Sequence, residues 1–144
     1  EMLGDFGIES EVWSVSSFNM LRKDGMEVEN ENVKNVSNKS KESFVTKSFS
    51  EHDIPTVAST DYMRAYSEQI RPYINSPYYT LGTDGFGRSD SRAKLREFFE
   101  VDARSIVMTA AYALYKEDQL NKKELQKIYK EIKVNKNKIS PWNK

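Results

Sequence analysis

The stretch LGTDGFGRSDSRAKLREFF (residues 81–99) decides the fold of this chain. A short apolar run ends at Leu81, and a turn with three glycines follows it. The serines and the aspartate at positions 89–91 offer N-cap side chains, and the apolar residues over 95–99 predict an amphipathic helix. A strand, a glycine-rich loop and a helix in this order form the repeating unit of α/β proteins.

Three segments have the β-branched and aromatic composition of strands: residues 11–17 (EVWSVSS), 54–60 (IPTVAST) and 78–81 (YYTL). Helices are predicted between and after them. Right-handed crossovers would make the strands parallel and place helices on both faces, which gives a three-layer α/β fold with a mostly parallel sheet. Because three strands make a small parallel sheet, we expect the first strands to precede residue 1. The chain would then be one N-terminally truncated domain over residues 1–144.

The helix signals are strongest in the C-terminal third of the chain. Asp102 is expected to cap a helix over residues 103–116. Asn121 and Glu124 have the spacing of a capping box, which predicts a helix over residues 121–132.

Weaker helix signals lie nearer the N-terminus. Residues 1–7 have the pattern of a helix tail, and a short helical element over 18–25 should end near its glycine. A further helix is predicted over residues 63–74, with Thr60 or Asp61 as its cap.

Residues 26–53 form a polar excursion that is rich in asparagine, lysine, serine and glutamate. Within it, residues 44–49 have the pattern of one short amphipathic turn against the body of the protein. His52 at its end is interpreted as a surface histidine, because no acid–base partner can be assigned to it.

Composition excludes several classes of function. The 22 basic residues balance 22 acidic ones, so net charge gives no reason to expect a nucleic-acid partner. With no cysteine and one histidine, thiolate catalysis and histidine-rich metal sites are impossible. No apolar run approaches the roughly 20 residues of a membrane span, and residues 1–10 lack the pattern of a signal peptide. We therefore expect a cytoplasmic protein with no membrane or nucleic-acid partner.

The loop at residues 82–88 is the best candidate for chemistry. Its backbone N–H groups precede a helix and could bind an anion with help from Arg88. The loop matches neither the dinucleotide fingerprint nor the phosphate-binding P-loop. We favour the alternative that the glycines form a tight turn and place Phe86 at a surface or an interface.

Two carboxylates, Asp61 and Asp84, follow predicted strands. The C-terminal ends of parallel strands are where open α/β sheets carry their sites, so the pair could perform acid–base work. Helix capping and turn formation explain both aspartates equally well, and we favour that interpretation.

Three stretches together resemble a known family: VWSVSSFNMLRKDG (12–25), VASTDYMRAYSEQIRPYI (57–74) and LGTDGFGRSDSRAKLREFFEVDA (81–103). They closely resemble the C-terminal region of the homodimeric, bacterial-type pyruvate dehydrogenases. These are the thiamine-diphosphate-dependent decarboxylating components of the pyruvate dehydrogenase complex, and they are built like transketolase. The resemblance runs in order along nearly the whole chain. It departs at residues 29–51, where this sequence has a polar asparagine- and lysine-rich run.

The resemblance implies that the chain is most of the third domain of such an enzyme. The sites for thiamine diphosphate and Mg²⁺, and the catalytic histidines, would then lie in the two earlier domains, so no catalytic, cofactor or metal residue is carried over. The implied partners are a second subunit and the lipoyl-bearing acyltransferase. Candidates for contact with the partner subunit or with the active-site rim are Asp61, Asp84, Gly85, Phe86, Gly87 and Arg88.

Two other functions stay open. The chain could be a non-catalytic α/β domain that binds another protein or an anion through residues 82–88. It could also belong to a related thiamine enzyme that acts on a different 2-oxo acid.

Overall fold

The computed structural model describes residues 1–36, 39–50 and 54–143. Two strands are present in this part of the chain: β1 (Thr56–Ser59) and β2 (Tyr78–Leu81). The α-helices are α1 (Phe18–Lys34), α2 (Phe44–Phe49), α3 (Ala65–Glu68), α4 (Arg92–Phe98), α5 (Ala103–Lys116) and α6 (Lys122–Glu131). Short 3₁₀ turns lie at Gly4–Phe6, Arg71–Tyr73 and Pro141–Asn143.

The strands β1 and β2 are parallel, with Val57 opposite Tyr79. Backbone hydrogen bonds frame the pair, from Thr56 N–H to the Pro77 carbonyl (2.8 Å) and from Thr60 N–H to the Leu81 carbonyl (3.0 Å). The predicted α/β class and the parallel direction are therefore confirmed.

Helices cover both faces of this small sheet. On one face, Ala58 of β1 packs against what we call the α2–α3 cluster, whose buried members are Val45, Ile70, Tyr73, Ile74 and Tyr78. On the other face α5 contacts both strands. It shares the α5–α6 cluster with α6, whose buried members are Val107, Ala111, Leu125, Ile128 and Ile132. The result is the predicted arrangement of three layers.

The C-terminal helices form where their sequence signals predicted them. The Asp102 carboxylate accepts a hydrogen bond from Ser105 N–H (3.0 Å) at the start of α5. The capping box of α6 is complete, because Asn121 accepts from Glu124 N–H (3.0 Å) and the Glu124 carboxylate accepts from Asn121 N–H (2.9 Å). The short amphipathic turn predicted at residues 44–49 is confirmed as α2.

The prediction of a strand at residues 11–17 is wrong. Within the described residues this segment makes no β-ladder, and the sheet contains β1 and β2 alone. Its composition suits a strand, but a strand also needs a neighbouring backbone to satisfy its N–H and C=O groups. Among the described residues, no backbone forms a ladder with residues 11–17.

The predicted helix end near Gly25 is also wrong, since α1 continues to Lys34. Gly25 is buried, and a Cβ atom there would lie 2.4 Å from ring atoms of Tyr73. The glycine therefore permits close packing of α1 on the α2–α3 cluster and does not end the helix. The first part of the polar excursion is consequently an exposed helix.

The region after β1 differs from the predicted helix over residues 63–74. It consists of two short pieces, α3 and the 3₁₀ turn Arg71–Tyr73. Neither Thr60 nor Asp61 caps α3, because the N-cap position is Arg64. The Thr60 hydroxyl accepts from Tyr62 N–H (3.2 Å), and Asp61 has a different partner, described below. His52, interpreted above as a surface residue, lies outside the described residues.

In the parts of the chain that the structure describes, no helix is both long enough and apolar enough to cross a membrane.

Candidate functional site

Two loops meet at the C-terminal edge of the sheet. We call residues 60–64 the β1 loop and residues 82–91 the β2 loop. Thr83 joins them, because its N–H donates to the Tyr62 carbonyl (2.9 Å) and its hydroxyl donates to the Asp61 carbonyl (3.2 Å). These bonds make the two loops one connected surface.

Asp84 fastens the β2 loop to the start of α3. Its carboxylate accepts a hydrogen bond from Arg64 N–H (2.9 Å) and forms an ion pair with Arg64 Nε at 3.4 Å. The backbone N–H groups at a helix start lack intrahelical partners, so Asp84 serves as a cap supplied by another loop. The sequence interpretation of Asp84 as a turn and capping residue agrees with this contact.

Gly82 lets the loops approach each other. A Cβ atom at this position would lie 2.5 Å from the Arg64 nitrogen and 2.7 Å from Arg64 Cα. Real Cβ atoms do not come this close to backbone, so no other residue fits without moving the β1 loop. Gly85 has a different reason to be glycine, because its φ of 102° lies in the left-handed region.

Asp61 ties the β1 loop to α4. Its carboxylate accepts two hydrogen bonds from Arg96, at 2.9 Å from Nε and 2.6 Å from Nη2. A longer contact of 3.4 Å comes from Arg92. The preferred interpretation of Asp61 as a helix cap is therefore wrong. The hydrogen bond from Arg96 lowers the pKa of the Asp61 carboxyl, partial burial opposes this, and Arg92 adds to the lowering.

The loops present apolar side chains to solvent. Phe86 is 85% exposed, and Tyr62 and Met63 on the β1 loop are 57% and 47% exposed. Beside them, the Arg88 guanidinium lies over the Phe98 ring at 5.1 Å from its centroid. An exposed aromatic ring on a loop that is held by hydrogen bonds at Thr83 and Asp84 is typical of an interface anchor.

The geometry gives little support to catalysis at this edge. Each aspartate is already bound by an arginine, and the lowered pKa of Asp61 keeps that group a carboxylate at neutral pH. An anion at the loop would compete with Asp61 for Arg92 and Arg96. Among the described residues, no group of three or more His, Cys, Asp or Glu side chains could hold a metal ion.

The structure brings the six predicted rim residues, Asp61 and 84–88, to one edge of the sheet. Sequence reasoning missed Arg64, Arg92 and Arg96, which hold the two aspartates. The available signal was the spacing of Arg92 and Arg96, which places both on one face of a helix that follows the glycine-rich loop. Contact of this edge with another subunit stays a prediction.

Comparison with known proteins gives consistent results along the chain. The family described as "Transketolase-like TK C-terminal domain" matches residues 1–102. The chain is 42% identical over 139 residues to a pyruvate dehydrogenase E1 component of Cupriavidus necator, and 54% identical over 111 residues to one of Pseudomonas aeruginosa. The alignments cover 96% and 76% of this chain, but 16% and 13% of those relatives. The chain therefore spans less than one fifth of the length of the curated relatives it matches.

Proposed function

Because this chain belongs to the transketolase-like C-terminal domain family, we propose that it is the C-terminal domain of a pyruvate dehydrogenase E1 component. The observation that carries the proposal is the 42% identity to such a protein over 96% of the chain. The whole protein would oxidatively decarboxylate pyruvate in the cytoplasm and pass the acetyl group to the lipoyl arm of an acyltransferase. Residues 1–144 would form one domain of it.

Within that protein, the role we assign to this domain is to support the dimer and the surroundings of the active site. The joined loops support this role, because Phe86 is an exposed aromatic ring on a surface fixed by Thr83, Asp84 and Gly82. Burial of a phenylalanine side chain stabilises by about 1.5–3 kcal/mol. A loop that is already ordered loses little entropy when it docks, so most of that gain would remain.

Thiamine diphosphate and Mg²⁺ belong to the proposal for the whole protein. The cofactor would supply the carbanion chemistry of decarboxylation, and the protein would supply orientation. The resemblance implies that the cofactor sites lie in the two earlier domains, so we assign no residue of this chain to the cofactor. The contribution of this domain is structural.

The replacement Phe86→Ala in the full-length protein tests the role of the loop. If Phe86 is an interface anchor, its loss should weaken dimerisation about tenfold or more, because a buried aromatic ring is lost from the contact. Analytical ultracentrifugation over a dilution series measures this, with pyruvate turnover recorded alongside. The matched control is Tyr112→Ala, since Tyr112 is an aromatic residue, 43% exposed, that lies on α5 and in neither loop. Unchanged sedimentation and turnover in Phe86→Ala would remove Phe86 from the interface.

A titration of the 144-residue chain with thiamine diphosphate and Mg²⁺ tests whether this domain binds the cofactor on its own. We expect no measurable binding heat, because the proposal places the cofactor site in the two earlier domains of the whole protein. Micromolar affinity would mean that this domain holds part of the cofactor site, which would contradict the assignment of a purely structural role.

A further inference from the structure

The last turn of α4 contacts the segment that follows α6 (residues 134–141), which we call the post-α6 segment. The Lys138 ammonium group of this segment donates a hydrogen bond to the Glu97 carbonyl of α4. It also forms an ion pair with the Glu100 carboxylate at 3.4 Å, and the two side chains are 26% and 28% exposed. A cation is favourable at this place, because the carbonyl groups at a helix end lack intrahelical partners and carry partial negative charge.

The helices α4, α5 and α6 end with the same backbone geometry. The residue after each C-cap has a φ between 55° and 59°, in the left-handed region that glycine adopts without steric cost, and these residues are Glu100, Asp118 and Lys133. Within the described part of the chain, Glu100 has an ion pair, and Asp118 and Lys133 have none. The three helix ends therefore share one backbone strain and differ in the ion pair.

The Lys138 contact lies beside the residue that holds the β1 loop. Arg96, which binds that loop through two hydrogen bonds, is in the last turn of α4. No residue of α4 itself is buried, so the contacts at its end are important for its position. Phe99 and Val101 are buried directly after the helix, and the Lys138 contact adds a polar attachment at the same end.

The post-α6 segment is itself fixed on the opposite side. Val134 packs against the α5–α6 cluster, and its N–H group donates to the Tyr129 carbonyl of α6 (3.1 Å). Further along the segment, Pro141 is buried. Lys138 therefore lies between two attached positions, and the segment connects the α5–α6 cluster with the end of α4.

We propose that Lys138 is a positioning residue for the joined loops at the edge of the sheet. It fixes the last turn of α4, Arg96 in that turn holds Asp61, and Thr83 joins the β1 loop to the β2 loop. Loss of the Lys138 contact therefore loosens the surface that carries Phe86. The role of this surface in a subunit contact rests on the proposed function, whereas the series of contacts that starts at Lys138 does not.

Hydrogen exchange in the 144-residue chain tests the proposal. Lys138→Met keeps an aliphatic side chain and removes the ammonium group, so the N–H groups of Thr83 and Arg64, which hold the two loops together, should exchange about tenfold faster. Lys138→Arg retains the cation and should exchange like the unchanged chain. The matched control is Lys136→Met, because Lys136 is exposed on the same segment and has no ion pair among the described residues.

The pKa of the Asp61 carboxyl gives a second measurement. The bond from Arg96 lowers this pKa, and Arg92 adds to the lowering. If Lys138→Met frees the last turn of α4, the pKa of Asp61 should rise toward its ordinary value, and Lys136→Met should leave it unchanged. Titration followed by the NMR shift of the carboxyl carbon measures it. A general loss of stability would not change this pKa in the folded state.

Three results would overturn the proposal. One is unchanged exchange at Thr83 and Arg64 in Lys138→Met. Another is an equal acceleration in α6, because Lys138 would then only stabilise the whole chain. The third is an equal effect of Lys136→Met. These measurements use neither turnover nor dimerisation, so failure of the proposed function would leave them unchanged.

Glycine at the three left-handed positions isolates the ion pair. Asp118→Gly and Lys133→Gly should raise the midpoint of urea unfolding, because glycine adopts a positive φ without strain. Glu100→Gly relieves the same strain but loses the bond to Lys138, so it should raise the midpoint clearly less. An equal gain at all three positions would mean that the ion pair contributes nothing, which would contradict the proposal.

Discussion

Gly82 carries a larger steric constraint than the other glycines of its loop. Its hydrogen atom faces the backbone of Arg64, where a methyl group would meet main-chain atoms that cannot move independently. Gly87, five residues later, has no atom within 4 Å of the Cβ position, and its φ is not in the left-handed region. The two glycines look alike in sequence, but a side chain would fit at Gly87 and would clash with the Arg64 backbone at Gly82.

Alanine at each position tests this difference. We expect Gly82→Ala to destabilise the chain by about 2 kcal/mol, because a methyl group placed against fixed backbone forces the β1 loop to shift. Gly87→Ala should change the free energy of unfolding by less than about 0.5 kcal/mol. Urea denaturation followed by circular dichroism measures both. Equal effects would mean that the loops are not held together as described.

Sequence reasoning located the important loop residues but not their partners. It predicted Asp61, Asp84 and the turn, because a strand end and a run of glycines are local signals. The partner of Asp61 is Arg96, 35 residues away in the chain, and no local rule pairs them. This contact depends on where α4 lies relative to the β1 loop, which no local sequence signal shows.

Among the elements, Glu68 is one of the residues that link α3 to β2. The Glu68 carboxylate accepts two hydrogen bonds from Arg71, at 2.6 and 2.8 Å, and one from the Thr80 hydroxyl of β2. Arg71 in turn donates to the Tyr78 carbonyl (2.7 Å). The hydrogen bonds from Arg71 lower the pKa of Glu68 from its ordinary value of 4.5, although partial burial opposes them.

A lowered pKa makes this contribution to stability depend on pH. The stabilisation is fully present above about pH 4.5 and is lost as the pH falls through the lower value of the folded state. Glu68→Gln should therefore cost about 1 kcal/mol at pH 7, a figure reduced for solvent screening, and less at pH 3, which lies below the ordinary pKa of the group. Urea unfolding at both pH values measures the difference. The control is Glu27→Gln, an exposed helix pair with Lys23, which should have little effect at either pH.

Helix bounds were predicted well where the capping signals were local. They were predicted poorly where packing against distant residues determines the end of the element. The caps of α5 and α6 lie within four residues of the helix starts, so the sequence contained them. Gly25 and residues 11–17 gave the wrong result for one physical reason. A buried glycine and a strand are each defined by the backbone or side chains that lie beside them, and local sequence signals do not show those neighbours.

In the part of the chain that the structure describes, the two buried clusters share no residue. The α2–α3 cluster includes Tyr78 of β2, the α5–α6 cluster is formed by α5 and α6, and α5 contacts both strands. Few contacts across a boundary allow one side of a protein to open while the other stays folded. We therefore expect the two layers to lose structure separately in the 144-residue chain.

Two buried residues, one in each cluster, test this independence. Val45 is 1% exposed in the α2–α3 cluster and Ile128 is 2% exposed in the α5–α6 cluster, so alanine leaves a cavity at either site. Each replacement should cost about 2 kcal/mol or more, and amides of the mutated layer should exchange about 30-fold faster. Val45→Ala should act mainly on α1 and α2, and Ile128→Ala mainly on α5 and α6. Native-state hydrogen exchange resolves the four helices.

A different outcome would contradict this independence. If either replacement accelerates exchange equally in both layers, the two layers unfold together and the chain is one cooperative unit.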